Sequence, residues 1–444
     1  MEKNPPYNVR KFLFILFPVS LIVTCLAFNF SISNHFSNKT INSDEVLYDS
    51  IAMAILNGNN YYMEGAEKVD IGHEVTPFYS CFVAAAYFVG GVNHRNPYIL
   101  NVILNCFTII LLFLTISLIT KEFFLSFLFS FVFIFYYPLW RMNYTILMEV
   151  TTVFFFSLGI YLFTQYYYKK KNKYIYFSTA VFSLVCLINN RFIVLLFVLL
   201  TFLLFITIIK KYKLGKTFII PVLIAFLTLS PWFIRQYIEY KQFVFFTPTW
   251  NNVVADKIGF FKKINIKTDA DYKSDSKPLT YSEYVQELRS ESLGELQQIR
   301  ISAFTAEKYK EVIDRHNYNG NLYFDRLKKY FTLYYKDFQF QSPTDFRLIA
   351  PSSKTYKLVQ LLILLPLFIF SLLGVLIAIK KREMIIIFLT MLFLSHVVLH
   401  VSIHYIERYR LTILPVLLII AAYGFLNIIP ILSYSRRGDY ALLN

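Results

Sequence analysis

Long apolar runs recur along this chain, and they constrain its fold more than any other feature of the sequence. Residues 12–30, 77–91, 97–119, 123–140, 145–166, 174–189, 192–209, 217–234, 358–379, 384–402 and 411–430 form these runs. A transmembrane helix needs about 20 consecutive apolar residues, and several runs reach that length. Hydrophobic residues also make up 56% of the chain. Together these observations predict a polytopic membrane protein rather than a soluble domain.

Basic residues in the short connections set the expected orientation, because such clusters stay in the cytoplasm. All the clusters of basic residues can lie on the cytoplasmic side only if one of the apolar runs does not cross the membrane. The run 77–91 is short and begins at Pro77, which is typical of an interfacial or re-entrant helix. We therefore predict an all-α fold with about ten transmembrane helices, both termini in the cytoplasm and interfacial helices in the first external loop. The basic clusters are Lys3/Arg10/Lys11, Lys121, Lys169–Lys171 with Lys173, Lys210/Lys211/Lys213/Lys216, Lys380/Lys381/Arg382 and Arg436/Arg437.

The net charge of +16 belongs largely to those cytoplasmic loops, so it gives no reason to expect a nucleic-acid partner. The run 12–30 is too long for a signal-peptide core and is expected to be an uncleaved first span. The cysteines show no paired spacing, which argues against a disulfide framework or a zinc site. They are Cys25, Cys81, Cys106 and Cys186.

The predicted topology divides the chain into three parts. Residues 1–235 form an N-terminal transmembrane module that carries an external loop, 31–96. Residues 236–355 form a small external segment, mainly helical, between spans 7 and 8, because a stretch this long is seldom a bare connection. Residues 356–444 supply the last transmembrane helices and a short cytoplasmic tail.

Ionisable residues avoid the span centres, where a charge costs roughly 2.5–3.5 kcal/mol, and collect at the predicted outer ends. This placement predicts a polar cavity open to the outside. A transporter more often places such groups near the midplane of the membrane, so the pattern favours catalysis at the external surface. No glycine-rich phosphate loop is present, and a lipid-linked donor therefore fits better than a nucleotide. The outer residues are Asp44, Glu45, His73, Glu74, Glu149, Arg191, Arg235, Arg408 and Arg410.

Each of these residues also has a structural interpretation. Asp44 suits the N-cap of a helix from 45 to 56, and Glu45 suits its first turn. Glu74 is equally well explained as a solvated loop acid. Glu149 lies about one turn into a span, and Arg191 is the expected counter-ion in a structural pair. The other arginines are alternatively anchors that reach the membrane interface, namely Arg235, Arg408 and Arg410.

Three histidines, His396, His400 and His404, are spaced to share one helix face. A metal site is the most specific interpretation of this spacing, but no acidic residue is next to the histidines in sequence. We favour a polar lining of the donor cavity by His400 and His404 over histidines that are simply satisfied by neighbouring helices.

A series of short motifs resembles the GT-C-type glycosyltransferases that use polyprenyl-phosphate sugars. This superfamily includes protein O-mannosyltransferases and the bacterial aminoarabinose transferases of lipid A. The similarity covers roughly 1–250 and 356–430, and it depends on the order of the motifs because each one alone is weak. Gln236 replaces the family's usual asparagine. The motifs are Asp44-Glu45-x-x-Tyr48, Pro77-x-Tyr79, Leu147-Met148-Glu149, Leu187-x-x-Asn190-Arg191, Pro231-Trp232-x-x-Arg235 and Arg408-Tyr409-Arg410.

The resemblance implies a membrane enzyme that transfers a sugar, with inversion, from a polyprenyl-phosphate donor to an acceptor hydroxyl on a glycan, lipid or protein. Asp44 is the expected catalytic base, Glu74 is a second acidic residue that helps by orienting the acceptor or the sugar, and Glu45, His73 and Glu149 are in support. The expected phosphate ligands are Arg191, Arg235, Arg408 and Arg410.

The expected location is the cytoplasmic (inner) membrane, with the active site outside. The need for a metal stays open, because Asp44, Glu45 and Glu74 could hold a divalent ion such as Mg²⁺ or Mn²⁺, or none. Two other functions also stay open: a polymerase or ligase of lipid-linked glycans, and a non-enzymatic lipid or solute transporter.

Overall fold

The computed structural model describes residues 43–58, 75–134, 142–210, 212–241, 353–402 and 407–440, together with isolated positions 19, 23, 62–63, 69–70, 136, 139, 244, 246–247, 327 and 330–331. Apart from Val19 and Val23, the first predicted span, 12–30, lies outside the described residues, as does nearly all of the predicted external segment 236–355. His73, Glu74 and His404 lie outside them as well.

The described part of the chain is helical, apart from one antiparallel pair of two-residue strands, β1 (Tyr62–Met63) and β2 (Val69–Asp70). Two helices belong to the predicted external loop, α1 (Ser43–Leu56) and α2 (Pro77–Gly90). Pro77 starts α2 because a helix's first residue needs no N–H donor, and Gly91 ends it at a φ of 82° that favours glycine.

The remaining helices follow in chain order. They are α3 (Arg95–Thr120), α4 (Phe123–Ile134), α5 (Glu149–Lys169), α6 (Asn172–Ile188), α7 (Ile193–Ile209), α8 (Ile220–Tyr240), α9 (Ser353–Lys381), α10 (Met384–Ser402) and α11 (Leu414–Tyr440). Short 3₁₀ turns, Asn190–Phe192 and Glu407–Ile413, precede α7 and α11, and a π turn, Gly215–Ile219, precedes α8.

Within the part of the chain that the structure describes, six helical segments are long and apolar enough to cross a membrane, which indicates a multi-pass membrane protein. Ten spans remain a prediction. The run 123–140 gives a helix of only 12 residues, and 174–189 gives one of 17 residues. The helix predicted at 77–91 has 14 residues, as expected for a segment that does not cross. The six segments are Arg95–Thr120, Asn190–Ile209, Gly215–Glu239, Leu361–Lys381, Met384–Ser402 and Arg408–Ile428.

Helix α5 is central to the packing, since it contacts α3, α6 and the turn Glu407–Ile413. The ring of Phe156 in α5 packs edge-on against Phe182, at 5.6 Å between centroids, and against Phe192, at 5.3 Å. These contacts hold the start of α5 close to the turns that precede α7 and α11.

Two asparagines of α3 fix the segment that leads into α5. The side-chain amide of Asn101 donates to the carbonyl of Thr145, at 2.9 Å, and that of Asn105 donates to the Oδ1 atom of Asn143, at 2.7 Å. Both asparagines are buried. Because buried backbone carbonyls need donors, these bonds anchor the non-helical segment 142–148 and thereby position Glu149.

Candidate functional site

Arg408 joins two carboxylates that lie far apart in sequence. Its Nη2 atom contacts the Oδ2 atom of Asp44, and its Nε atom lies 2.9 Å from Oε1 of Glu149. The Arg408 side chain is 13% exposed, that of Asp44 is 33% exposed and that of Glu149 is 2% exposed. The cluster therefore runs from a buried end at Glu149 to an accessible end at Asp44.

Both carboxylates lie at helix N-termini. Glu149 is the first residue of α5, and Asp44 lies in the first turn of α1. A negative charge there is stabilised by the partial positive charge of the free N–H groups. The helix includes Ser43, so Asp44 lies inside the first turn and is not the N-cap that we considered from the sequence.

The expected pairing of Glu149 with Arg191 is wrong, because its ion pair is formed with Arg408. Arg191 lies instead over the ring of Tyr409, with its Cζ atom 4.0 Å from the ring centroid. The side chain of Asn189 accepts the Arg191 backbone N–H at 3.2 Å and so caps the short turn that carries the arginine. Among the described residues, the buried Nη1 atom of Arg191 has no hydrogen-bond partner.

Tyr409 connects this arginine to the histidines of α10. The rings of Tyr409 and His400 are stacked, with centroids 5.1 Å apart and an angle of 28°, and the centroids of His400 and His396 are 4.2 Å apart. His400 is therefore a buried member of an aromatic stack. His396 bonds to the hydroxyls of Tyr330, at 2.7 Å, and Thr412, at 3.0 Å, so both of its ring nitrogens are engaged.

The side chains of Arg408, Tyr409 and Arg410 point in three different directions. These residues belong to the 3₁₀ turn Glu407–Ile413, and such a turn has about three residues per turn. Arg408 reaches the carboxylates, Tyr409 faces Arg191, and the buried Arg410 donates from Nη1 to the carbonyl of Tyr330 at 3.0 Å. The sequence analysis missed Tyr409 as a site residue. Its position between two outer arginines was the available signal.

Glu45 turns away from Asp44. Its side chain is fully buried, and its Oε2 atom accepts the backbone N–H of Ile146 at 3.0 Å. The two adjacent acids therefore have different partners, and Glu45 ties α1 to the segment that positions Glu149.

Within the described ranges, no three His, Cys, Asp or Glu side chains are placed to hold a metal ion.

Tyr48 forms a wall of the site one turn beyond Asp44. Its hydroxyl donates to the Sδ atom of Met148 at 3.3 Å, and its ring packs edge-on against Tyr79, at 4.8 Å between centroids. Burial, followed by the nearby charges of Asp44 and Glu149, raises the pKa of Tyr48. The phenol is therefore neutral and keeps its proton as a hydrogen-bond donor.

Arg235 has a different setting at the end of α8. Its Nη1 atom donates to Oε1 of Gln236 at 2.9 Å, and its Cζ atom lies 5.3 Å from the ring of Trp232. The side chains of Gln236 and Trp232 both donate to the carbonyl of Phe246 at 2.7 Å. Gln236 thus anchors the chain that follows α8.

No protein-family model matches this chain, and no curated protein matches it.

Proposed function

We propose that this chain is an integral membrane glycosyltransferase. It transfers a sugar from a polyprenyl-phosphate donor to an acceptor hydroxyl at the external membrane surface. The observation that carries the proposal is the cluster of two carboxylates and two guanidinium groups formed by Asp44, Glu149, Arg191 and Arg408, which we call the Arg408 cluster. Such a transfer needs a base for the hydroxyl and cationic donors for the departing phosphate.

Arg191 is the arginine best suited to hold the donor phosphate. Arg408 already faces two carboxylates, whereas Arg191 lies flat on Tyr409 with its Nη1 atom unpartnered among the described residues. Stacking fixes the plane of a guanidinium, so the N–H groups along its edge are oriented for a bidentate contact with an anion that displaces the groups now covering the buried Nη1 atom. The extended lipid of the donor would lie along the membrane while its phosphate reaches this edge.

Arg408 links donor binding to the activation of the base. A guanidinium stabilises the charged form of a carboxylate and so weakens it as a proton acceptor. The donor phosphate attracts Arg408 away from Asp44, and the freed carboxylate then faces the acceptor. Glu149 remains beside Arg408 and limits how far this side chain moves.

The chemistry balances with these residues alone. The acceptor oxygen forms a bond to the anomeric carbon, and its proton passes to the carboxylate of Asp44. The bond between the anomeric carbon and the phosphate oxygen breaks, and its electron pair leaves with the polyprenyl phosphate. Attack opposite the leaving group inverts the anomeric centre. Glu74 is proposed as a helper, and Glu45 supports the site through its bond to Ile146.

Helix α5 is not one of the six segments that meet the length and apolarity expected of a span. Many of its residues are nevertheless buried among other helices, and its length fits a span enclosed by protein, which supports an external site in the cytoplasmic membrane. This helix has 21 residues and rises about 1.5 Å per residue, so its ends are roughly 30 Å apart, close to the thickness of the hydrocarbon core. Glu149 lies at one end and Lys169 at the other. With the basic end in the cytoplasm, the Arg408 cluster faces outward and both termini lie inside.

The proposal is tested with the purified full-length chain in proteoliposomes that contain polyprenyl-phosphate hexoses or pentoses and acceptor glycans, lipids or peptides. We expect one sugar to be transferred per donor, and Asp44→Asn to lower the rate about 10²–10⁴-fold while the protein stays folded. A folded Asp44→Asn variant with near-normal turnover would refute the role of the base.

The same assay separates the other candidate functions. A donor trapped as a long glycan on a diphosphate would indicate a polymerase or ligase. Movement of lipid or solute across the bilayer without a new glycosidic bond would indicate a transporter. Either result would overturn the proposed transfer from a monophosphate donor.

A further inference from the structure

A second polar cluster lies at the opposite end of α5, where several helices end together. Lys121 and Lys170 each follow their helix in the left-handed conformation, with φ angles of 61° and 56°, and Lys210 follows α7. A lysine at a helix C-terminus is stabilised by the free carbonyl groups. This effect accounts for the position of each lysine at its own helix end, but it does not account for the proximity of the three lysines to one another.

Two tyrosine rings bring the three ammonium groups together. The Nζ atoms of Lys170 and Lys210 lie 4.4 Å and 5.4 Å from the ring centroid of Tyr167. The Nζ atom of Lys121 lies 4.6 Å from the ring centroid of Tyr168, and the two ring centroids are 5.2 Å apart. We call these five residues the lysine–tyrosine cluster.

The cluster carries more positive charge than its surroundings offset. Within the described residues, none of its three lysines forms a salt bridge with a carboxylate. Partial burial and the charge of Lys210 both lower the pKa of Lys170. Two acids are close to the cluster: the exposed Glu122, which follows Lys121 in the chain, and Glu383. The half-buried position of Glu383 raises its pKa despite the attraction of Lys210. An incoming anion would relieve the repulsion between the lysines.

Exposed apolar side chains lie on helix ends next to the cluster in the chain: the end of α7, the start of α4 just after Lys121, and the end of α9 just before Glu383. A free anion would use only the ammonium groups, whereas a lipid would also place its acyl chains along these side chains. The arrangement therefore favours an amphiphile over a soluble phosphate. The exposed residues, with their exposed fractions, are Phe124 (71%), Ile208 (65%), Ile209 (59%), Leu376 (56%) and Ile379 (60%).

We propose that the lysine–tyrosine cluster binds the headgroup phosphate of an anionic phospholipid at the membrane surface opposite the Arg408 cluster. The three ammonium groups contact the phosphate, and the tyrosine rings hold the lysines in place through cation–π contacts. The lipid fills the space between the ends of α3, α5 and α7. This inference does not depend on the proposed glycosyl transfer, since it is measured without donor or acceptor.

Native mass spectrometry of the detergent-solubilised full-length chain, titrated with phosphatidylglycerol or phosphatidylcholine, tests the proposal. We expect tighter binding of phosphatidylglycerol. Each lysine near a lipid headgroup contributes about a fivefold gain in affinity, so Lys170→Gln/Lys210→Gln should weaken that binding about 30-fold.

The matched control is Lys213→Gln/Lys216→Gln, which removes the same charge from two exposed lysines between α7 and α8. It should leave the binding unchanged, whereas Glu383→Gln should strengthen it by removing the nearby negative charge. The thermal unfolding midpoint of each variant, measured in the same detergent, confirms that the comparison is made between folded proteins.

Three results would overturn the proposal. One is an equal affinity of the wild-type chain for the two lipids. Another is an equal loss in the control double variant, which would mean that only net charge matters. The third is displacement of phosphatidylglycerol by inorganic phosphate at similar concentrations, which would make the site one for a free anion.

Discussion

The Nε atom of Arg408 lies 2.9 Å from the Oε1 atom of Glu149, yet neither atom makes a hydrogen bond within the described residues. The two side chains attract each other as charges, without the alignment that a hydrogen bond requires. Glu149 is nearly inaccessible to solvent, with 2% of its side chain exposed. The negative charge of Glu149 is therefore compensated by Arg408. Replacing Arg408 and replacing Glu149 should consequently change the stability of the protein by different amounts.

Replacing Arg408 alone should destabilise the protein strongly. Arg408→Gln leaves Glu149 buried without a cation, which costs about 3–5 kcal/mol of unfolding free energy. In Arg408→Gln/Glu149→Gln the uncompensated charge is gone, so stability should recover in part. Unfolding in detergent, followed by the loss of tertiary structure, measures both variants. A double variant no more stable than the single one would show that Glu149 is not charged in the folded protein.

The neighbouring acids Asp44 and Glu45 should respond differently to conservative changes. Glu45→Gln keeps an oxygen that accepts the N–H of Ile146, so its transfer rate should stay near that of the wild type. Glu45→Ala leaves that donor unsatisfied and should lower the unfolding free energy by about 1–3 kcal/mol. Rate and unfolding are measured on the same preparations. A loss of transfer in Glu45→Gln as large as that in Asp44→Asn would mean that Glu45 contacts the substrate.

The transfer rate should depend on the planar shape of the guanidinium at position 191 as well as on its positive charge. Arg191→Lys keeps the charge but loses the planar fork and the stacking on Tyr409. We expect a rate lower by about 10²-fold, since removing one preorganised donor has an effect of that size. Tyr409→Phe preserves the ring face and serves as the control, with most of the activity retained. Steady-state transfer assays at varied donor concentration check both variants, and full activity in Arg191→Lys would exclude a bidentate contact.

Helices α9 and α11 approach so closely that only glycine fits at their crossing. A Cβ atom on Gly424 would lie 2.7 Å from the backbone nitrogen of Gly374, and closer still to the carbonyl oxygen of Phe370. Gly424→Ala should force the helices apart and lower the unfolding free energy by about 1–3 kcal/mol. Gly215→Ala is the control, because a Cβ atom there meets open space. Equal thermal midpoints for the two variants would argue against this close crossing.

The sequence predicts helices best where apolar runs end at polar or basic residues. The run 384–402 coincides with Met384–Ser402, and 97–119 lies within Arg95–Thr120. The run 123–140 is longer than its helix, which ends at Ile134. Apolar composition indicates burial in protein or lipid and does not itself extend a helix. Pro138 was the signal for an earlier end, because the residue before a proline disfavours helical geometry.

The side-chain partners of the site were harder to predict than its location. The sequence grouped Asp44, from the predicted external loop, with Glu149 and Arg408, from the predicted span ends, and the ion pairs of Arg408 confirm that these three residues lie together. The choice of Arg408 over Arg191 as the partner of Glu149 depends on how a 3₁₀ turn directs successive side chains. The contact between Glu45 and Ile146 likewise depends on how α1 is rotated. Both pairings depend on how the helices pack against one another, so they could not be predicted from the sequence motifs alone.

The proposed orientation requires the two ends of α5 to lie on opposite sides of the membrane. Asn93, in the turn before α3, and Lys171, in the turn after α5, are both exposed. In a chain whose native cysteines are replaced, a membrane-impermeant maleimide should label Asn93→Cys in intact cells and Lys171→Cys only after permeabilisation. The reason is that α5, at roughly 30 Å, is long enough to separate them by the full hydrocarbon core. Labelling of both positions from the same side would place Arg408 and the basic helix ends in one compartment, and the external site would then be wrong.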